Sequence, residues 1–264
     1  GFDNITYHPN GRIHRLVTKL AFENLFHPFQ PFIIGQKNIA PKLAIKYKTP
    51  LVFYGENEAE YGNPIGDNFS ANRKIHYYSV SPEGLSNMYL GGVSVEELQK
   101  NYGLTLNDLE PYLPPSLEDI HTLKLDVRYL GYYIKWTPQE SYYYSVEHSG
   151  FEANPERTEG TYSKYNSLDD KMDGFHYWTT YLKFGLGRAS HEASQEIRNH
   201  HLTREEGVAL VKKFDGEFPK KYFSEILDYL NLTEEKFFEL ADQFRPPHLW
   251  EKIRGDWKLL HQIQ

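Results

Sequence analysis

Three carboxylates at alternate positions, Glu56, Glu58 and Glu60, follow Gly55 directly after the short apolar run Leu51–Tyr54. Acids at the carboxyl end of a buried strand can hold Mg²⁺ on a nucleotide phosphate or act as general bases. Glu56 is the leading acid of the chain and Glu60 the second. The same pattern also describes a solvated surface turn. A second candidate is Gly160-Thr-Tyr-Ser-Lys164, whose hydroxyls and ammonium could meet an anion. Asp169-Asp170-Lys171 follows it, although two acids there equally suit the start of a helix. The third is Lys183-Phe-Gly-Leu-Gly-Arg188, where two glycines flanked by cations let backbone approach a phosphate. As a dinucleotide fingerprint it fails, because position 190 is serine and no strand precedes it. A helix C-cap with basic residues near the dipole accounts for the run as well.

Other chemistry is excluded more easily. The 264 residues contain no cysteine, so disulfides, thiolate zinc sites and a Cys nucleophile are absent from this sequence. Twelve histidines raise the question of a metal. His191-Glu-Ala-Ser-Gln195 misses the zinc-protease helix by its last ligand, and His200-His201 points two rings apart, so no metal ligand is assigned. A net charge of −7 without a long basic run disfavours nucleic acid. No apolar stretch approaches the roughly 18 residues of a membrane span, and the N-terminus lacks signal-peptide character, so a soluble cytoplasmic protein is expected.

These candidates need elements to hold them. Residues 3–7 read as a strand already under way, which points to a chain that is the later part of a longer protein. A helix is expected over 12–26, stopped by the prolines of His27-Pro-Phe-Gln-Pro31. A second helix over about 33–48 contains Pro41 and should begin near it or kink. The strand 51–54 then completes a β–α–α–β pattern, most economically a parallel crossover. Residues 62–92 look like a long loop, a candidate lid. Ser94-Val-Glu-Glu97 is a capping box for a helix closed by Gly103, and 105–113 form another short helix. The aromatic run 129–136 reads as the last strand of the sheet. Thr137-Pro138 starts a helix that Gly150 ends. After a loop over 151–167, helices are expected near 168–184, 190–199, 203–214, 219–230 and 233–243, with a short docking helix over 250–260. The domains expected are 1–150, the α/β part with its inserted loop, and 151–264, a helical region.

Several runs in the same order resemble the N-acetyl sugar amidotransferases. They are Phe26-His-Pro-Phe-Gln-Pro-Phe, Gly55-Glu56-Asn57, Glu159-Gly-Thr-Tyr-Ser-Lys164, Asp169-Asp-Lys-Met172, Lys183-Phe-Gly-Leu-Gly-Arg-Ala189, Ile197-Arg198, Thr203-Arg-Glu-Glu and Phe214-Asp-Gly-Glu-Phe-Pro219. The resemblance implies an ATP-pyrophosphatase (PP-loop) α/β fold, with a partial Rossmann-like parallel sheet followed by the helix-rich C-terminal region. It implies activation of the acetamido oxygen of a nucleotide-linked N-acetyl sugar by ATP and Mg²⁺, then displacement of AMP by ammonia, in lipopolysaccharide or flagellin glycan synthesis. A glutaminase and a cyclase-like subunit would supply the ammonia. Glu56 and Glu60 would be the catalytic acids, and Gly55, Lys164, Lys183 and Arg188 would meet phosphate or adenylate. The family's Ser-Gly-Gly-Lys-Asp-Ser loop and its N-terminal cysteine motifs do not occur in this sequence, in keeping with a truncated member. The alternatives are a non-catalytic module that docks a glutaminase, with a Tyr-rich surface for a homo-oligomer contact, and another PP-loop ATP-pyrophosphatase.

Overall fold

A computed structural model describes residues 3–55, 66, 69–85 and 87–264. Glu56 and Glu60 lie outside the described residues, as does most of the expected loop before Phe69. The chain forms two compact units, one from Gly1–Leu20 and Gln30–Trp136, the other from Ala21–Phe29 and Thr137–Gln264.

Helix α1 (Gly11–Leu25) belongs to the first unit as far as Leu20, and there it buries Ile13, Val17 and Leu20, spaced four and three residues apart on one face. Helix α2 (Gln30–Tyr47) runs through Pro41 rather than starting at it. Proline at 41 cannot donate to the carbonyl of Lys37, four residues back. That carbonyl instead accepts the Tyr54 hydroxyl at 2.7 Å and an Arg73 guanidinium N–H at 3.3 Å. Tertiary donors thus replace the lost helical bond, and the helix continues.

Strand β1 (Leu51–Tyr54) follows as expected. Residues 3–7, expected as a strand, form none. Beyond a 3₁₀ turn at Ile75–Tyr77 come α3 (Pro82–Leu85), β2 (Tyr89–Leu90) and β3 (Val93–Ser94), the last two paired antiparallel. Helices α4 (Val95–Tyr102), α5 (Leu106–Leu109) and α6 (Leu117–Leu123) carry N-caps at Ser94, Thr105 and Ser116. Strand β4 is Asp126–Tyr129, earlier in the chain than the aromatic run 129–136 suggested and sharing only Tyr129 with it. It buries Val127 and Tyr129 alternately, whereas Tyr133, Ile134 and Trp136 are exposed. β1 and β4 pair parallel, Leu51 against Asp126 through Tyr54 against Tyr129. The parallel partner of β1 is therefore β4, not residues 3–7. Among the described residues the parallel sheet has these two strands.

The second unit is largely helical: α7 (Pro138–Ser149), α8 (Asp173–Phe184), α9 (Arg188–Arg198), α10 (Arg204–Phe214), α11 (Phe223–Leu230) and α12 (Glu234–Gln243). Glycines at 150 and 185 close α7 and α8 in the left-handed conformation. Phe22, Phe26, Phe175, Trp178 and Phe237 form an aromatic core with Leu182, Ile226, Leu230 and Leu240. The final segment is a hairpin rather than a docking helix: β5 (Trp250–Ile253) pairs antiparallel with β6 (Asp256–Leu259). Arg254 and Gly255 both take positive φ between them, the geometry of a tight two-residue hairpin turn. Trp250 anchors it, its indole N–H donating to the Leu182 carbonyl at 2.7 Å.

Candidate functional site

Gly55 is exposed at the end of β1, in the first unit. The other described candidates, Lys164, Lys183 and Arg188, all lie in the second unit. Local structure decides what each is free to do.

Lys183 and Arg188 bracket the turn between α8 and α9. The backbone there does not wait for a phosphate. The Gly187 N–H donates to an Asp215 carboxylate oxygen at 2.9 Å, and the Ser190 hydroxyl donates to the same oxygen at 2.6 Å. Asp215 therefore fills the electropositive N-terminus of α9 from within the chain. Gly185 caps α8, so the run behaves as a helix end. Lys183 donates to the Leu25 carbonyl at 3.0 Å, and burial pulls its ammonium pKa down.

Arg188 is the centre of a buried ionic network. Its Nε–H donates to Glu192 at 2.7 Å, an Nη1–H to Asp173 at 3.3 Å, and the guanidinium lies 4.2 Å from the centre of the Tyr177 ring. Glu192 also accepts from Asn166 Nδ2 at 2.6 Å and from the Thr161 hydroxyl, and the Ser167 hydroxyl donates to Asp173. Burial raises the Asp173 carboxyl pKa, with Arg188 opposing. Burial alone would lower Arg188, but Tyr177, Glu192 and Asp173 outweigh it and the net shift is upward. The Gly160–Lys164 run and the start of α8 thus fold inward onto Arg188. The Thr161 hydroxyl is spent on Glu192, and exposed Lys164 donates to the Pro155 carbonyl at 2.9 Å.

Beside the network lies a cleft of about 210 Å³, between the loop at 154–159, the approach to α8 with its first turn, and the segment at 219–222. Arg157 forms a two-pronged pair with Glu217, at 2.6 and 2.8 Å, and the Gly160 N–H donates to that carboxylate at 3.0 Å. Glu159 accepts the Lys221 N–H at 3.0 Å. Lys171 pairs with Glu225 at 2.6 Å, and the ammonium groups of Lys171 and Lys221 sit 5.0 and 5.3 Å from the centre of the Tyr222 ring. Asp169 and Asp170 stand at the rim and are exposed. Lys221 and Tyr222 escaped the sequence reading. The nearby Phe214–Pro219 run, with Glu217 inside it, carries part of the family resemblance but ends before them.

The unit carrying this cleft is a helical module on an aromatic core, with a buried ionic network that meets the polar cleft at Ser167. Residues 159–264 match the family model described as LPS biosynthesis protein WbpG-like, C-terminal domain, so this segment is similar to that domain. No curated protein matches the sequence. Among the described residues, no helix is long and apolar enough to cross a membrane, and no group of three or more His, Asp or Glu is placed to hold a metal ion.

Proposed function

We propose that this protein is an ATP-dependent amidotransferase of surface-glycan synthesis, which converts the N-acetyl group of a nucleotide-linked sugar to an acetamidino group. The observation that carries the reading is the match of residues 159–264 to a domain of LPS biosynthesis proteins. The resemblance of runs before it and within it, Gly55-Glu56-Asn57 among them, supports the finer chemistry. The acetamido oxygen attacks the α-phosphorus of ATP and pyrophosphate leaves. Ammonia from a partner glutaminase, working with a cyclase-like subunit, adds to the activated carbon. AMP then leaves with the former acetamido oxygen, and the carbon keeps nitrogen in its place.

On this reading Glu56 and Glu60 face Mg²⁺ on the ATP phosphates or take the ammonia proton, and Gly55, exposed after β1, meets phosphate through its backbone. Lys164, exposed, is the cation best placed to meet an anion directly. Lys183 contributes charge at shorter reach, held by the Leu25 carbonyl. Arg188 acts as a positioning residue, because Asp173 and Glu192 already match its charge. The test is release of AMP and pyrophosphate by the full-length protein with ATP, ammonia and candidate nucleotide sugars. Sugar-dependent release is expected, and Glu56→Gln should lower it by about 10²–10⁴-fold. Release that ignores the sugar would reject the reading.

A second reading has one observation in its favour. Helix α7 has no buried residue, and Tyr143 and Tyr144 on it are 61% and 67% exposed. Such a face suits the homo-oligomer contact of a non-catalytic module, in which the helices of 168–264 dock the glutaminase. Retention of the glutaminase together with no calorimetric heat from ATP or sugar nucleotide would favour it.

A further inference from the structure

The cleft above Tyr222 has a size and a charge pattern that select a ligand. Its volume of about 210 Å³ falls below the roughly 300–1,000 Å³ of pockets that take drug-sized molecules, so it admits one ring and not a whole sugar nucleotide. Arg157, Lys171 and Lys221 are its cations, and Glu159, Asp169 and Asp170 its acids. Two of the cations are already matched from outside the cleft, Arg157 by Glu217 and Lys171 by Glu225. What faces a ligand is then the Lys221 ammonium against three carboxylates, of which Glu159 already accepts the Lys221 backbone N–H and Asp170 the Met172 N–H, both keeping their charge. A phosphate would meet net repulsion there. A polyhydroxyl ring would not: its hydroxyls donate to carboxylate oxygens and accept from an ammonium, and such charge-assisted bonds are the stronger ones. Tyr222 supplies apolar ring edge beside the Lys171 and Lys221 ammonium groups, against which the C–H groups of a ring can rest.

We propose that this cleft binds an uncharged pyranose ring, the sugar end of the substrate, through Asp169, Asp170 and Lys221 against Tyr222, with the phosphates held elsewhere. The assignment rests on the amidotransferase reading for what the sugar is there to do, but the binding itself is independent of it. Asp169 and Lys221 are exposed and lie outside the buried ionic network, so their side chains can be changed without opening the core.

The experiment is ligand-observed saturation-transfer NMR on the full chain with free N-acetylglucosamine as probe, inorganic phosphate as competitor, and the double variant Asp169→Asn, Lys221→Ala. The probe should receive saturation, phosphate should not displace it, and the double variant should weaken binding at least about fivefold while its thermal midpoint stays at the wild-type value. Absence of transfer, displacement by phosphate, or unchanged binding in a folded double variant would each overturn the proposal. Activity separates it from the wider reading. If sugar-dependent AMP release persists while the probe fails to bind here, the cleft assignment falls alone. If the probe binds as described and no AMP is released, the cleft assignment stands and the amidotransfer falls.

Discussion

The stacked pair His27 and His176 should make the second unit sensitive to mild acid. Their rings lie 5.0 Å apart at 18°, and each buried Nδ1 lacks a hydrogen-bond partner. Burial is the main cause that holds His27 down at about 4, with Lys183 adding to it. Burial likewise holds His176 down at about 3, helped by His27, Lys183 and Arg188. An unfolded chain returns both to about 6.5. Because the folded rings refuse a proton that the unfolded ones accept, their contribution is fully present above about pH 6.5 and declines as the pH falls toward 4. Over the span of about 1.5 units from 6.5 to 5, at about 1.4 kcal/mol per unit, each ring costs about 2 kcal/mol and the pair about 4. Asp173 and Glu196, whose carboxyls burial pushes up, act in the opposite sense at lower pH. The comparison is therefore with His27→Gln, His176→Gln. Urea denaturation at pH 7 and pH 5 should show wild type losing about 4 kcal/mol more than this variant. Imidazole proton shifts titrating near 6.5 in the folded protein would refute the reasoning.

Three further outcomes follow from the packing. Arg188→Met leaves Asp173 and Glu192 buried without their cation, and should cost about 3–5 kcal/mol in chemical denaturation. Adding Asp173→Asn and Glu192→Gln should recover most of it, and no recovery would contradict the network. Gly216 sits at φ +77° against the Tyr181 ring, so Gly216→Ala should destabilise by about 2–4 kcal/mol, read as a lowered thermal midpoint. Tyr54→Phe removes a donor from the Lys37 carbonyl and should cost about 1 kcal/mol, but little in a Pro41→Ala background, where a helical N–H returns; equal costs in both backgrounds would show that Pro41 has no part in it.

Helix boundaries were legible in the sequence wherever a cap marked them. Ser94 and Glu97, Thr203 and Glu206, and the glycines at 103 and 150 stop or start helices as their chemistry requires. Strands were harder, since their partners lie far off in the chain. The aromatic run 129–136 resembles a buried strand, yet β4 is set by Val127 and Tyr129 facing the core and by its parallel pairing with β1. Nothing local distinguishes Trp250–Leu260 from a short helix except Arg254-Gly255, a turn that is obvious only once both strands are seen. For the site, residue types identified the right runs but not their roles. Arg188 and Thr161 look available to an anion in sequence, and only the fold reveals that Glu192 claims them both. Lys221 and Tyr222 come to the cleft through the turn before α11, a placement with no local signature.

On the proposed reading an acetamido oxygen is activated by ATP and replaced by nitrogen. The direct measurement uses a nucleotide-linked N-acetyl sugar carrying ¹⁸O in its acetamido carbonyl, with the full-length protein, ATP and ammonia, read by mass spectrometry. The account predicts that the label appears in AMP and that the sugar product contains nitrogen in its place. Label retained in the sugar, or AMP formed without label, would contradict it.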